Sequence, residues 1–396
     1  MPQVKVALAT AFPRDPEAPH GGVESVSVTL VEALAALGGL ELHVVTVDAG
    51  RREMATDVWR GVTVHRLPRL ARSMLGDAIG PGRRQMQSYL KSLRPDVVHA
   101  HDTYGLMVKG LSLPRAFTVH GFIHADTRLA RGPWFRLRSA LWRYHETRGW
   151  ADQPHIIAIS PYVRERLRGV ARGVIHDIDN PIDEAFFQVR RRERKGLIFS
   201  AAVVSPRKNT LRLVEAAARV AAQGLPVDLR LAGAVTDAAY GERVRAAIDA
   251  WGMHERAHLR GSLGRDQVAG ELEVASVFAL VSLEEGSPLG VEEAMAVGTP
   301  VVTSNRCGMP YMVRDGESGF LVNPEDPEDV AWRLSQLLAD DDLRGAQSDL
   351  SRRIARERFH PAAVASRTRE VYRRAIRDFT RAAQGTSPTG EGRDGR

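Results

Sequence analysis

The sequence predicts an α/β chain built as two doubly wound domains that face each other across a cleft. Three observations predict it. The chain has 396 residues, more than one hydrophobic core comfortably fills. Each half repeats an apolar run, a glycine-bearing turn and an amphipathic helix, the pattern of parallel βαβ units. Between the halves lies the charge run Arg190 to Lys195 (RRRERK), expected as a solvated linker.

Composition narrows the function classes. Apolar content of 43% and charged content of 26% are those of an ordinary globular protein. A single cysteine, Cys307, rules out an internal disulfide and a cysteine-based metal cluster, and it fits a reducing compartment. The net charge of +7 is diffuse, and only five of the 55 basic residues are lysine. No basic stripe with interleaved aromatics forms a nucleic-acid module. The opening MPQVKVALATAF lacks the charged and long apolar regions of a secretory signal. No run reaches the 18 or so apolar residues that span a bilayer. The expected location is the cytoplasm.

In the first half, Val4 to Thr10 reads as a buried strand. His20-Gly21-Gly22 then opens a helix from Val23 to Leu37, with Val26, Leu30, Leu34 and Leu37 on one face, and Glu41 to Val47 is the second strand. Glycines at a strand-to-helix turn let the backbone approach a ligand closely. The stretch from Arg66 to Arg84, with Gly76, Gly80, Pro81 and Gly82, is expected as a mobile loop over the cleft. Pro95 to Asp102 reads as a strand with polar residues at its carboxyl end. His99 is expected in the core, because His99 and His101 have no third ligand at metal spacing. Ala116 to Gly121 is a further strand, ending at His120. Arg128 to Trp150 combines six arginines with a helical stripe of Trp134, Leu137 and Leu141. It is expected to be a packed helix with a solvated outer face; its other reading is peripheral contact with an anionic membrane. Asp179 to Asp183, with Phe186, closes the first domain.

In the second half, Gly196 to Val204 is an apolar strand. The loop Ser205-Pro206-Arg207-Lys208-Asn209 sets Lys208 before a helix from Thr210 to Gln223. Val227 to Leu231 leads into Ala232-Gly233. The informative stretch is Ser282 to Gly298, SLEEGSPLGVEEAMAVG, which follows the apolar run Val277 to Val281. Ser287 is expected as an N-cap with Pro288 at the first helical position, and Gly298 as the C-terminal cap. Strand, turn and helix together leave the N–H groups of Leu289 and Gly290 open at the carboxyl end of a sheet, a ready anion site. Glu285 and Glu293, eight positions apart, flank it. Carboxylates repel phosphate but accept paired hydrogen bonds from vicinal hydroxyls. An anion pocket between two diol acceptors describes a nucleotide-diphosphate sugar. Thr299 to Ser304 is a strand, Pro361 to Arg381 is a last helix, and residues 382–396 are expected to be disordered.

Glu285-Gly286-x-Pro288 followed by Glu293-Ala294-Met295-Ala296 resembles the Glu-x7-Glu signature of retaining GT-B glycosyltransferases, specifically glycosyltransferase family 4. The resemblance extends over about residues 4 to 380. It implies two Rossmann-like domains, an acceptor-side domain over 1–185 and a nucleotide-sugar domain over 196–360, with a helix over 361–381 crossing back to the first. It also implies transfer of a hexose to a hydroxyl of a glycan, a lipid-linked or a small-molecule acceptor, without metal or cofactor. His120, Lys208 and Glu285 match the catalytic positions. Gly22, Leu263, Gly286, Ser287, Pro288, Leu289, Gly290 and Glu293 match donor contacts, Arg207 is a donor-side candidate outside the family's pattern, and Glu24, Asp102 and Tyr104 are the acceptor-side candidates. By the same resemblance Glu293 holds the ribose and Glu285 the 3- and 4-hydroxyls of the sugar. Two positions depart from the pattern. Val203 stands where the family carries an arginine, and Tyr311 stands where a glutamate is usual. A catalytically impaired GT-B protein acting as a binding or scaffolding partner is the alternative that Val203 raises.

Overall fold

The structure, a computed structural model, describes residues 3–130 and 133–384. The first sheet holds β1 (Val4–Ala9), β2 (Leu40–Asp48), β3 (Ala55–Trp59), β4 (Val62–Pro68), β5 (Val97–His101), β6 (Arg115–Val119), β7 (His155–Ala158) and β8 (Val174–Asp177). Their order is β3-β4-β2-β1-β5-β6-β7-β8, parallel except for the β3–β4 hairpin. That hairpin, unforeseen in the sequence, turns on Arg60 and Gly61, both at positive φ, which suits the twist of paired strands.

The second sheet holds β9 (Arg194–Ala201), β10 (Asp228–Ala232), β11 (Ala257–Gly261), β12 (Ala275–Leu280), β13 (Val301–Ser304) and β14 (Phe320–Val322). All are parallel, in the order β11-β10-β9-β12-β13-β14. Strand order reverses between β1 and β5 in the first sheet and between β9 and β12 in the second. Loops at such a reversal diverge and leave a crevice beyond the strands' carboxyl ends. The chain after β1 leads to Gly22, after β5 to Asp102, after β9 to Lys208 and after β12 to Glu285. The topology alone therefore gathers the candidate residues.

The last helix, Pro361–Ala383, returns to the first sheet. Val364, Ala365, Val371, Tyr372 and Ala375 share a core with Val6, Leu8 and Leu34. Tyr372 is fully buried, and its hydroxyl meets Nδ1 of His99 at 2.7 Å; Nε2 of His99 meets Oγ1 of Thr118 at 2.7 Å. His99 is thus a core histidine. Burial pushes its pKa down to about 3, so it is neutral at any physiological pH. The helix runs two residues past the expected end at Arg381, and the remainder of the expected disordered tail lies outside the described residues.

Two expectations are corrected. Arg66 to Arg84 is not a long loop: β4 runs to Pro68, and two helices, Met74–Ile79 and Pro81–Leu93, follow. Oδ1 of the buried Asp77 accepts from the N–H groups of Leu70 and Ala71 at 2.9 Å and fixes the short connection. The charge run is solvated as expected apart from the half-buried Arg191, and its last two residues already belong to β9. The Arg191 guanidinium donates to the Ala275 carbonyl at 2.5 Å, and Glu193 meets Arg344 at 2.7 Å, fastening the segment to the second domain. In the helix Phe135–Ala151 the expected apolar stripe faces solvent, with Trp134 80% and Leu137 56% exposed. The buried face is instead Trp142, Glu146, Gly149 and Trp150. The Glu146 carboxylate draws that face inward by accepting from the N–H groups of Ile123 and His124.

Replacing Tyr372 by Phe keeps the packing and strands one ring nitrogen of a fully buried histidine. The expected cost is about 1–2 kcal/mol of stability, read as a lower denaturant midpoint with an unchanged slope.

Candidate active site

A cavity of about 530 Å³ lies between the sheets at their carboxyl ends. Gly22, His120 and Asn180 line it from the first domain; Val203, Arg207, Lys208, Leu263, Glu285, Ser287, Pro288, Leu289, Gly290 and Glu293 line it from the second. Domain-to-domain contacts close its rim. The Ser160 hydroxyl donates to the Gly286 carbonyl at 2.7 Å, and Nδ2 of Asn180 donates to the Ser287 carbonyl at 3.4 Å.

The helix behind the Glu285 loop is Leu289–Val297, not one begun by Pro288. Pro288 is itself the N-cap, in extended conformation, and Ser287 does not cap. Its hydroxyl donates instead to Oε1 of Glu292 at 2.5 Å. Glu292 is fully buried, and that burial pushes its carboxyl well above the usual range, so the buried carboxyl competes for the serine. Gly298, with φ 82°, ends the helix as expected. Among the described residues no acceptor takes the N–H groups of Leu289 and Gly290. They are the open donors of a helix N-terminus aimed at the cavity.

Two carboxylates flank these donors in opposite electrostatic states. Glu285 is buried, and burial alone would raise its pKa. Nζ of Lys208 at 2.5 Å and the Arg207 guanidinium at 3.0 Å outweigh that and hold it below the usual range. Arg207 also donates to the Glu284 carbonyl at 2.9 Å and lies 3.5 Å from Asp126 of the first domain. Glu293 has no hydrogen-bond or ion-pair partner among the described residues. Burial, with the charge of Asp183 adding to it, raises its pKa to about 7.

The loop carrying Glu285 is shaped by Gly308. Its N–H donates to the Glu285 carbonyl at 2.9 Å, and a Cβ there would sit 1.8 Å from the Gly286 carbonyl oxygen. Only glycine fits.

On the first-domain side, His120 packs on His101, with Nε2 of His120 2.8 Å from Nδ1 of His101; its own N–H donates to Asp102 at 3.0 Å. Burial lowers the pKa of His120, partly offset by Asp102, so the ring is a neutral hydrogen-bonding group. The three acceptor-side candidates are not gathered here. Tyr104 is buried, its hydroxyl held by the Val47 N–H at 2.9 Å and near Thr46 at 3.2 Å. Glu24 accepts from the His20 N–H at 2.7 Å and closes its own loop. Asp102 lies behind His120 rather than on the cavity. Gly286 meets the rim through its carbonyl. Arg265, Asn180 and Asp183 also line the cavity. Asn180 and Asp183 lie in the stretch that sequence reading used only as a domain boundary; Arg265 carried no signal beyond lying two residues after Leu263.

The model for glycosyltransferase family 4 matches residues 20–186, and that for glycosyl transferases group 1 matches residues 181–354. The chain belongs to glycosyltransferase family 4. As a member it is a retaining glycosyltransferase that takes its sugar from a nucleotide sugar. This family 4 enzyme is 29% identical over 296 residues to the MMP alpha-(1->4)-mannosyltransferase of Mycolicibacterium hassiacum, a match covering 71% of each chain. It is 34% identical over 140 residues to a D-inositol 3-phosphate glycosyltransferase of Streptomyces bingchenggensis, covering 35% of this chain and 30% of that protein. Its fold matches sucrose-phosphate synthase from Thermosynechococcus elongatus with a TM-score of 0.79 at 20% identity, over 95% of this chain and all of the other. It also matches Anabaena Alr3699/HepE in complex with UDP and glucose, with a TM-score of 0.72 at 15% identity, over 94% of this chain and 100% of that one. Among the described residues no helix is long and apolar enough to cross a membrane.

Two outcomes follow from the unliganded geometry. Gly308→Ala displaces the Glu285 loop and lowers turnover at least tenfold in a nucleotide-release assay. Glu293 has a raised folded-state pKa, so its ionisation penalises the folded protein as pH rises from 4.5 to about 7 and fully above that. Glu293→Gln therefore raises the unfolding midpoint at pH 8, by roughly 1–3 kcal/mol of stability, and leaves it unchanged at pH 4. A shift of equal size at both pH values overturns this.

Proposed function

We propose that this chain moves a hexose from a nucleoside-diphosphate sugar to a hydroxyl of a glycan, a lipid-linked or a small-molecule acceptor. One observation carries the reading: open main-chain N–H groups at Leu289 and Gly290 lie between an ion-paired carboxylate, Glu285, and an unpartnered one, Glu293. Glu293 takes the ribose diol, whose two hydroxyls supply the donors it lacks. The diphosphate rests on the N–H groups and the helix dipole. Glu285 accepts from the 3- and 4-hydroxyls of the sugar, and the neutral His120 bonds another hydroxyl of the same ring.

Transfer on the retained face needs no protein nucleophile. The acceptor oxygen bonds to the anomeric carbon as the bond from that carbon to the phosphate oxygen breaks. The electron pair leaves with the diphosphate, and the acceptor's proton passes to that same leaving oxygen. Lys208 and Arg207 stabilise the charge that develops there, an electrostatic contribution. Arg207 supports an answer to the missing arginine at Val203, since its guanidinium reaches the same cavity four residues later. The alternative, a protein that binds sugar nucleotide without turnover, rests on Val203 alone. Nucleotide release across a donor panel separates the two readings.

Glu293→Ala should weaken donor binding at least tenfold by calorimetry, and Lys208→Ala should lower kcat about 100-fold with a smaller change in donor Kd. Wild-type behaviour in both removes the assignment. Because a diol needs an ionised acceptor and Glu293 titrates at about 7, donor Kd should rise about tenfold per unit as pH falls below 7. It should level off above pH 8. A flat profile in the wild type excludes Glu293 as the ribose ligand.

A further inference from the structure

Outside the donor cavity, a second and larger groove of about 1450 Å³ runs between the helix Phe135–Ala151 of the first domain and the loops after β12 and β13 of the second. Arg128, Arg136, Arg143, Arg166 and Arg306 reach it. Arg306 is neutralised by Glu325 at 2.5 Å. The other four form no ion pair with any described residue. Elsewhere this chain commonly pairs its arginines: Arg14 with Asp48, Arg115 with Asp152 and Arg230 with Glu271, each at 2.7–2.8 Å. Glu284, the carboxylate at the inner end, is already engaged by the Tyr162 hydroxyl and lies 3.3 Å from Sγ of Cys307. Arg166 is held in place over the Phe122 ring, 4.8 Å from its centroid, and bonds Nε2 of His124 at 3.3 Å.

Four unmatched guanidinium groups around a cleft focus a positive field and match phosphate or carboxylate in paired hydrogen bonds. The groove lies next to the donor cavity: the carbonyl of Glu284, a residue of its wall, accepts at 2.9 Å from Arg207, which lines the cavity. Arg207 also pairs with Asp126, the neighbour in sequence of the groove residue Ala125, and with Glu285 of the cavity. Leu129, Phe135 and Leu283 give the groove an apolar wall, suited to the face of a sugar ring or to an acyl stem.

We infer that the acceptor is anionic: its phosphate or carboxylate sits among Arg128, Arg136, Arg143 and Arg166 while its hydroxyl reaches past Glu284 to the donor sugar. This rests on the transferase reading above. The anionic group is a handle and takes no part in bond making; the hydroxyl forms the new bond and its proton leaves with the diphosphate.

The test is transfer to pairs of sugars and polyols that differ only in a phosphate, such as mannose and mannose 6-phosphate. Vesicles containing 20% phosphatidylinositol form a second arm, separating a lipid headgroup from a free phosphate ester. The expected result is at least tenfold preference for the phosphorylated member in one arm. The same acceptor's KM should rise at least tenfold in Arg128→Gln/Arg143→Gln and in 0.5 M salt, with partial recovery in Arg128→Lys/Arg143→Lys. The donor Kd serves as the control. Equal use of neutral and phosphorylated members, or an unchanged KM in the double glutamine variant, overturns the inference and leaves the transferase reading standing. If no member is turned over, mannose 6-phosphate is titrated into enzyme saturated with nucleoside diphosphate, and absence of arginine-dependent binding overturns it. Failure of every nucleotide sugar to bind overturns both readings.

Discussion

The site depends on how a buried carboxylate is kept charged. Glu285 lies where the two halves of the chain meet, and desolvation there favours its neutral form. Lys208 and Arg207 reverse that preference from one side. These two cations come from the loop after β9 and the carboxylate from the loop after β12, so the ion pair spans the reversal of strand order in the second sheet. Asp126 extends the network to the first domain. A carboxylate so held can accept hydrogen bonds without first losing a proton, and the cations that hold it line the same cavity.

Glu293 makes the complementary point. It lines the same cavity without a partner among the described residues, and burial raises its pKa to about 7. A buried carboxyl in this condition costs the fold stability above its pKa, and groups of this kind cluster at functional sites. The open N–H groups of Leu289 and Gly290 belong to the same class, polar groups left unpaired beside an empty volume.

Much of this was legible in the sequence. Strand, turn and helix around Ser282 to Gly298 follow from apolar runs and glycine placement, and the Glu285–Glu293 spacing placed both side chains on one cavity. The failures have definite causes. Ser287 looked like a cap because its local sequence permits it, but a buried carboxyl five residues on competes for the hydroxyl. Trp134 and Leu137 looked like a core stripe because helical spacing says nothing about which face the domain covers. The hydroxyl of Tyr104 is spent on the backbone of a neighbouring strand, a tertiary contact invisible to pattern. The short helix Met74–Ile79 hid behind glycines, since the carboxylate of Asp77 that organises it acts on residues preceding the helix. Gly308 was legible only as the start of a glycine-rich stretch; its requirement appears when the carbonyl of Gly286 is seen against it.

The returning helix Pro361–Ala383 means that the backbone passes between the two halves twice, once near Pro181 and again near Phe359. The passages lie side by side: the Ile182 N–H donates to the Phe359 carbonyl at 2.9 Å, and Arg358 grips Asp179 at 2.6 Å. A double passage fastened in this way restrains the halves more tightly than a single linker would, and it adjoins the Asn180–Ser287 contact at the rim of the cavity.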